Sequence, residues 1–275
     1  MDYFSKTFNY IFSHGKGKRF LVFALFAALP AAGLAYYFPA SNLIHYLFNY
    51  RDFPHASWGE LWLNLFPVKP LGFLFIFLAF VLFVFFFSAI TTIVTRHLRI
   101  GKFSVPKLSA LFNENFFPAL HFSFFVAVTL VIIHTFCTFF LYLWTFTYLW
   151  LTITLSVFTI VVFVTLATYL YAAVTLWLPI MSLNGSSWLK SLQTAFIRSR
   201  GQTRKFLLSY AILLVIILIF GFAAFFTRHV WYVSWIITTV SYILLVVFTV
   251  NYSIISYFEV ESITREDLIR SPYLR

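Results

Sequence analysis

Charge is scarce in this chain. Asp, Glu, Lys and Arg make up 10% of its 275 residues, against roughly a quarter in a soluble domain. Hydrophobic residues make up 62% and the mean hydropathy is +0.91. No soluble fold hides that much apolar surface, whereas a bilayer accepts it because the surroundings there are apolar too. Cysteine is nearly absent: the lone Cys137 excludes an internal disulfide and a cysteine-based metal cluster. Acids are outnumbered, 8 Asp and Glu against 19 Lys and Arg, which gives a net charge of +11. In a soluble protein that balance suggests nucleic acid. In one this apolar it reflects basic loops gathered on one side of a membrane, and no nucleic-acid partner is expected.

Six stretches supply the roughly 20 apolar residues a helix needs to cross a 30 Å hydrocarbon core. They are 20–38, 71–94, 118–142, 148–178, 206–227 and 230–257, and none contains Asp, Glu, Lys or Arg. The short alternating strands of a barrel are missing. The expected fold is all-α: a polytopic membrane helical bundle of about six transmembrane helices, forming a single integral membrane domain over 1–275. The first stretch is long enough to remain as a span, and its small residues lead into aromatics instead of a cleavage site. The fourth is too long for the core by roughly half, so it tilts, kinks or extends beyond the core before Pro179. Between the third and fourth, 143–147 is short and uncharged, which predicts a tight hairpin.

Lys and Arg in the short loops set orientation. With these spans, one side receives Arg51, Lys69 and Arg228, only three of the 19 basic residues. Both termini are therefore expected on the cytoplasmic side of a cell membrane. Basic residues of that side precede spans directly, as Lys18 and Arg19 do at the first and Arg204 and Lys205 at the fifth. Three segments there have helical apolar spacing and basic polar faces: 3–14 (Phe4, Phe8, Ile11, Phe12), 105–116 (Leu108, Leu111, Phe112, Phe116) and 187–199 (Trp188, Leu189, Leu192, Ala195, Phe196). Such helices lie in the membrane interface, and Ser104 and Ser186 stand where N-caps belong. Gly15-Lys16-Gly17-Lys18-Arg19-Phe20-Leu21 and Gly201-Gln202-Thr203-Arg204-Lys205-Phe206-Leu207 share Gly, a basic pair and Phe-Leu at one spacing. Asn115-Phe116-Phe117-Pro118 is a worn third copy. Either basic residues recur before spans by common need, or three units of interfacial helix plus hairpin form a pseudo-threefold repeat.

On the other side, Ser57-Trp58-Gly59-Glu60 has the form of a capping box, and Leu61, Trp62, Leu65 and Phe66 follow it. A short helix lying on the outer interface is expected there. Ser41 is a candidate cap for a second helix carrying Leu43, Ile44, Leu47 and Phe48. The pair either anchors to the interface or forms a lid over the bundle.

Chemistry is mostly missing. Every acid lies outside the spans, which argues against proton pumping and most ion-coupled transport. There is no phosphate loop, no Gly-x-Ser-x-Gly elbow and no His-Glu-x-x-His. No catalytic, metal or cofactor site is expected. Asp52, His55 and Glu60 are an acid–base group only in the sense that a solvated loop holds them. What remains is a candidate intramembrane polar site of His134, Thr138, Thr159 and Asn251. His134 is either functional or a neutral ring bonded to a hydroxyl. The hydroxyls of the fourth span, Thr152 to Thr175, either line a polar path or bond their own helix. Ala24, Ala28 and Ala32 recur every four residues, as do Ala27, Ala31 and Ala35, a spacing that lets helices approach closely. The first set is a candidate helix-packing face, with Pro30 between the two as a possible kink.

Leu178-Pro179-Ile180-Met181, the turn at Asn184-Gly185, the helix from Trp188 to Arg200 with Ala195 to Ser199 at its centre, and the span from Phe206 resemble the membrane region of bacterial glycerophosphodiester phosphodiesterases and related multi-pass proteins. The similarity takes in segments from about 90 to 220, and the soluble catalytic domain of that family has no counterpart. The resemblance implies a bacterial membrane module and carries over no catalytic residue. Two readings of function stay open. One is a non-enzymatic scaffold, assembly partner or accessory subunit. The other is a carrier or flippase-like transporter for a lipid or amphipath. A membrane-embedded enzyme is a third, requiring polar residues that converge near an interface. The expected partners are the lipid bilayer and either another membrane protein or a bound lipid.

Overall fold

The computed structural model describes residues 2–12, 17–35, 39–48, 57–65, 70–101, 103, 105, 107 and 115–262. Among them the fold is all-α and no strand occurs. The helices are α1 (Asp2–Phe12), α2 (Lys18–Leu34), α3 (Pro39–Phe48), α4 (Trp58–Leu65), α5 (Pro70–Ile100), α6 (Phe116–Trp144), α7 (Leu149–Val174), α8 (Trp177–Asn184), α9 (Trp188–Ser199), α10 (Thr203–Phe226) and α11 (Trp231–Val260). Five segments are long and apolar enough to cross a membrane: α5, α6, α7 continued by α8, α10 and α11. The expected span 20–38 corresponds to α2, whose 17 residues run unbroken through Pro30. That is about 25 Å of helix.

Contacts close a ring. α2 packs on α5, α5 on α6, α6 on α7, α7 on α10, α10 on α11, and α11 again on α2. Taken in pairs these are three hairpins in chain order, which is the arrangement a pseudo-threefold repeat requires. Of the amphipathic helices, α1 packs on α11, the second helix of the last hairpin, and α9 packs on α7 and α8. The segment expected at 105–116 lies almost wholly outside the described residues.

Small residues set the close crossings. At Gly33 on α2 a Cβ would stand 3.0 Å from the Cβ of Ala79 on α5, and at Gly221 on α10 it would stand 2.9 Å from that of Ala40 on α3. Within α2 the fully buried alanines are Ala27 and Ala31, while Ala24, Ala28 and Ala32 are half-buried at the edge of the contact. The indole of Trp235 on α11 donates to the Ala32 carbonyl at 3.1 Å, one of the last-turn oxygens that lack an intrahelical partner. The core at the basic end is built around α11. From Val250 through Phe258 every residue is buried, with α1, α2, α5, α8 and α10 around them. A second cluster at the opposite end joins Tyr46, Leu61, Leu65, Cys137 and Leu141.

Several expectations change. The long fourth stretch breaks at Thr175–Leu176 and resumes as the buried α8. Pro179 stands in the first turn of α8, where a missing N–H costs that helix nothing. It also leaves the Thr175 carbonyl without the donor a continuous helix would give it, and the Ser253 hydroxyl donates to that oxygen. Ser187, not Ser186, is the N-cap of α9, and the Ser186 hydroxyl bonds that of Ser191. Ser41 lies inside α3, which starts at Pro39, a residue whose fixed φ suits a first helical position. The buried stripes of the amphipathic helices also differ from the expected apolar faces. In α1 it is Tyr3, Thr7 and Ile11, with Phe8 exposed. In α9 it is Ser191, Ala195 and Ser199, while Trp188, Leu189, Phe196 and Ile197 face outward. Small residues turn to the protein because they permit contact with α7 and α8, and the large apolar ones are left for lipid.

Candidate functional site

In an apolar helix a Ser or Thr hydroxyl has a ready acceptor in the carbonyl one turn back. The hydroxyls of α7 mostly take it: Thr154 donates to Trp150, Thr168 to Val164 and Thr175 to Tyr171. Thr152 closes the α6–α7 turn by donating to the Trp144 carbonyl at 2.8 Å. Thr154, Thr168 and Thr175 thus bond their own helix, as one of the two readings of the fourth span has it, while Thr159 serves a neighbouring indole instead.

The four candidate polar residues do not form one site. Thr138 donates to the carbonyls of His134 and Thr135, each at 2.9 Å. Thr159 accepts from the indole of Trp144 at 2.8 Å. Asn251 donates to the Val247 carbonyl on its own helix at 2.7 Å, in the buried basic-end half of α11. His134 meets an outer helix. Its ring stands edge-on to Trp62 of α4 with centroids 5.5 Å apart, and the Trp62 indole donates to the Thr135 hydroxyl at 3.2 Å.

Trp58 of α4 meets Phe139 and Trp62 meets His134, so α4 runs antiparallel to α6 along its flank. Its Leu61 and Leu65 are buried there, while Trp58, Glu60 and Leu63 face outward. The forward half of the capping box forms, with the Glu60 N–H donating to the Ser57 hydroxyl at 3.2 Å. The last-turn carbonyls of α4 have no partner within their own helix. Asn42 of α3 donates to one, the Leu65 carbonyl, at 3.2 Å. α3 is seated on α10 through Ala40 and Ile44 against Gly221 and through Phe48 stacked on Phe225. Asp52 and His55 lie outside the described residues.

The basic end is more organised than loop charge alone requires. Arg19 lies over the ring of Tyr10, 4.7 Å from its centroid, and donates to the Tyr10 carbonyl. Lys205, at the matching place in the second basic pair, lies 5.2 Å from the Tyr3 ring centroid. The first residue of each pair, Lys18 and Arg204, is exposed. In both pairs the second cation lies over an α1 tyrosine, although Lys205, unlike Arg19, stays exposed. The Tyr10 phenol bonds Nδ1 of His97 at 2.9 Å. Burial pushes its pKa well above the ordinary phenol range, opposed in part by the Arg19 charge. Lys6 pairs with Glu259 at 2.5 Å and Arg198 pairs with Glu261, so both amphipathic helices are tied to the end of α11.

Two features had no signal in the sequence. One is a buried network at the basic end. Tyr252 donates to the Ser209 hydroxyl at 2.9 Å, Thr175 to the Tyr210 oxygen at 3.2 Å, and Tyr257 to Asn184 Oδ1 at 3.2 Å. The other is a groove of about 410 Å³ between α7 and α10, lined by Thr165, Thr168, Arg204, Leu207, Leu208, Ala211 and Leu214. Among the described residues no three His, Cys, Asp or Glu stand close enough to share a metal. No family model matches the chain, and neither a curated protein nor a solved structure matches it.

Proposed function

We propose that this chain is a non-enzymatic membrane module that acts as a scaffold, assembly partner or accessory subunit. The supporting observation is the use to which its polar side chains are put. The candidate residues hold helices to one another or bond their own backbone. Among the described residues none of them joins a carboxylate in the acid–base pairing that catalysis requires. The lopsided distribution of basic residues supports a cytoplasmic membrane with both termini inside. The resemblance of 178–206 to a bacterial membrane region is in keeping with a bacterial module of this kind. Its partners are the bilayer and another membrane protein, and nucleic acid is not among them. The half-buried Ala24, Ala28 and Ala32, beside the exposed Leu21, Leu25 and Leu29, form the face we assign to that protein.

A second reading, a lipid or amphipath carrier, draws on the α7–α10 groove and on the packing of the aromatic outer helices α3 and α4 against α10 and α6. Native mass spectrometry of the tagged chain, extracted gently from its own membranes, separates the two. A stoichiometric protein partner lost on Ala28→Trp supports the module. A chain that carries only a lipid or amphipath sinks the module in favour of the carrier.

A further inference from the structure

Several basic residues near the ends of α1, α2, α9 and α10 have protein partners. Lys6 and Arg198 are ion-paired, and Arg19 and Lys205 lie over aromatic rings. Arg204 is exposed, and among the described residues it takes part in no ion pair. It stands instead at the head of the groove between α7 and α10. Below it the α10 wall is Leu207, Leu208, Ala211 and Leu214. Leu214 is ten residues on, so the wall is about 15 Å long, roughly the hydrocarbon depth of one leaflet. The head of the groove therefore lies where lipid headgroups are. A guanidinium presents a planar fork of donors that matches phosphate oxygens. The N-terminus of α10 beside it adds partial positive charge. An apolar helix in the groove would cover the leucines and leave the cation uncompensated. A lipid with an anionic headgroup meets both.

We propose that this groove is a binding site for one anionic glycerophospholipid, with its phosphate on Arg204 and an acyl chain along Leu207 to Leu214. The site stands whether the chain is a scaffold or a carrier. The test is native mass spectrometry of the purified full chain, titrated in detergent with dioleoyl phosphatidylglycerol or dioleoyl phosphatidylcholine. One phosphatidylglycerol is expected to bind about tenfold more tightly than phosphatidylcholine, the scale of a charge-assisted contact. Arg204→Gln should abolish the preference. Ala211→Phe, at an exposed position of the wall, should weaken both lipids. Arg200→Ala, at the exposed C-cap of α9, should change neither. Equal retention of the two lipids overturns the proposal, as does an Arg200→Ala loss equal to that of Arg204→Gln. Displacement of the lipid by inorganic phosphate also overturns it, because the site would then read a free anion.

Discussion

A proline and a serine on different helices share one carbonyl. Pro179 cannot donate to Thr175, and Ser253 does so from across the bundle. Ser253→Ala should cost about 1–3 kcal/mol, the penalty for an orphaned buried acceptor, read as a lower unfolding midpoint in detergent. In a Pro179→Ala background the restored N–H takes the acceptor, so the same change should cost roughly half or less. Strict additivity of the two would mean the hydroxyl contributes through packing alone. At Gly221 the issue is space. A side chain there must displace Ala40, only 2.9 Å from the added Cβ, so Gly221→Val should cost about 1–3 kcal/mol and loosen α3. An unchanged melting curve with α3 still protected from hydrogen exchange would count against that packing.

The helices that differ most from expectation are the short ones. α4 has the cap and apolar residues of an interfacial helix, and its length alone does not distinguish lying on a surface from entering it. Trp62 against His134 and Asn42 on the Leu65 carbonyl fix it against α6 and α3. Asn42→Ala should therefore destabilise the protein by about 1–3 kcal/mol. A surface helix would instead find water for that carbonyl, and thermal unfolding in nanodiscs distinguishes the two. In α9 the large apolar residues face outward, as an interfacial helix would have them, and the side that docks it, Ser191, Ala195 and Ser199, carries no apolar signal beyond its small size. Ala195→Leu should speed amide exchange across α9 while leaving α10 protected. The pair of Arg198 with Glu261 is partly exposed, with side chains 35% and 25% accessible. Glu261→Gln alone should then change stability by no more than about 1 kcal/mol.

At the scale of the whole molecule, three hairpins close a ring in chain order and, among the described residues, the basic residues other than Arg228 gather at one end. Two single-cysteine variants in a Cys137→Ser background test the orientation. Arg228→Cys should react with a membrane-impermeant maleimide added outside intact cells, and Arg200→Cys should not. The reverse labelling would invert the topology.

Composition alone determined that the chain belongs in a bilayer as a helical bundle, because 62% apolar residues with charges excluded from long runs leave no other solvent for it. Five of the six expected spans followed from length, as the hairpin between α6 and α7 did from a short uncharged gap, while 20–38 forms the shorter α2. The two basic pairs already announced their equivalence. Tertiary structure decided which of two faces is buried, how deep a short helix sits, and where polar groups far apart in the chain meet. His134 carries no mark that its neighbour is Trp62, and Arg204 none that a groove lies beneath it. Such contacts depend on the approach of helices that are equally apolar on every side, so hydrophobic periodicity cannot specify them. Small residues and single hydrogen bonds across the bundle do.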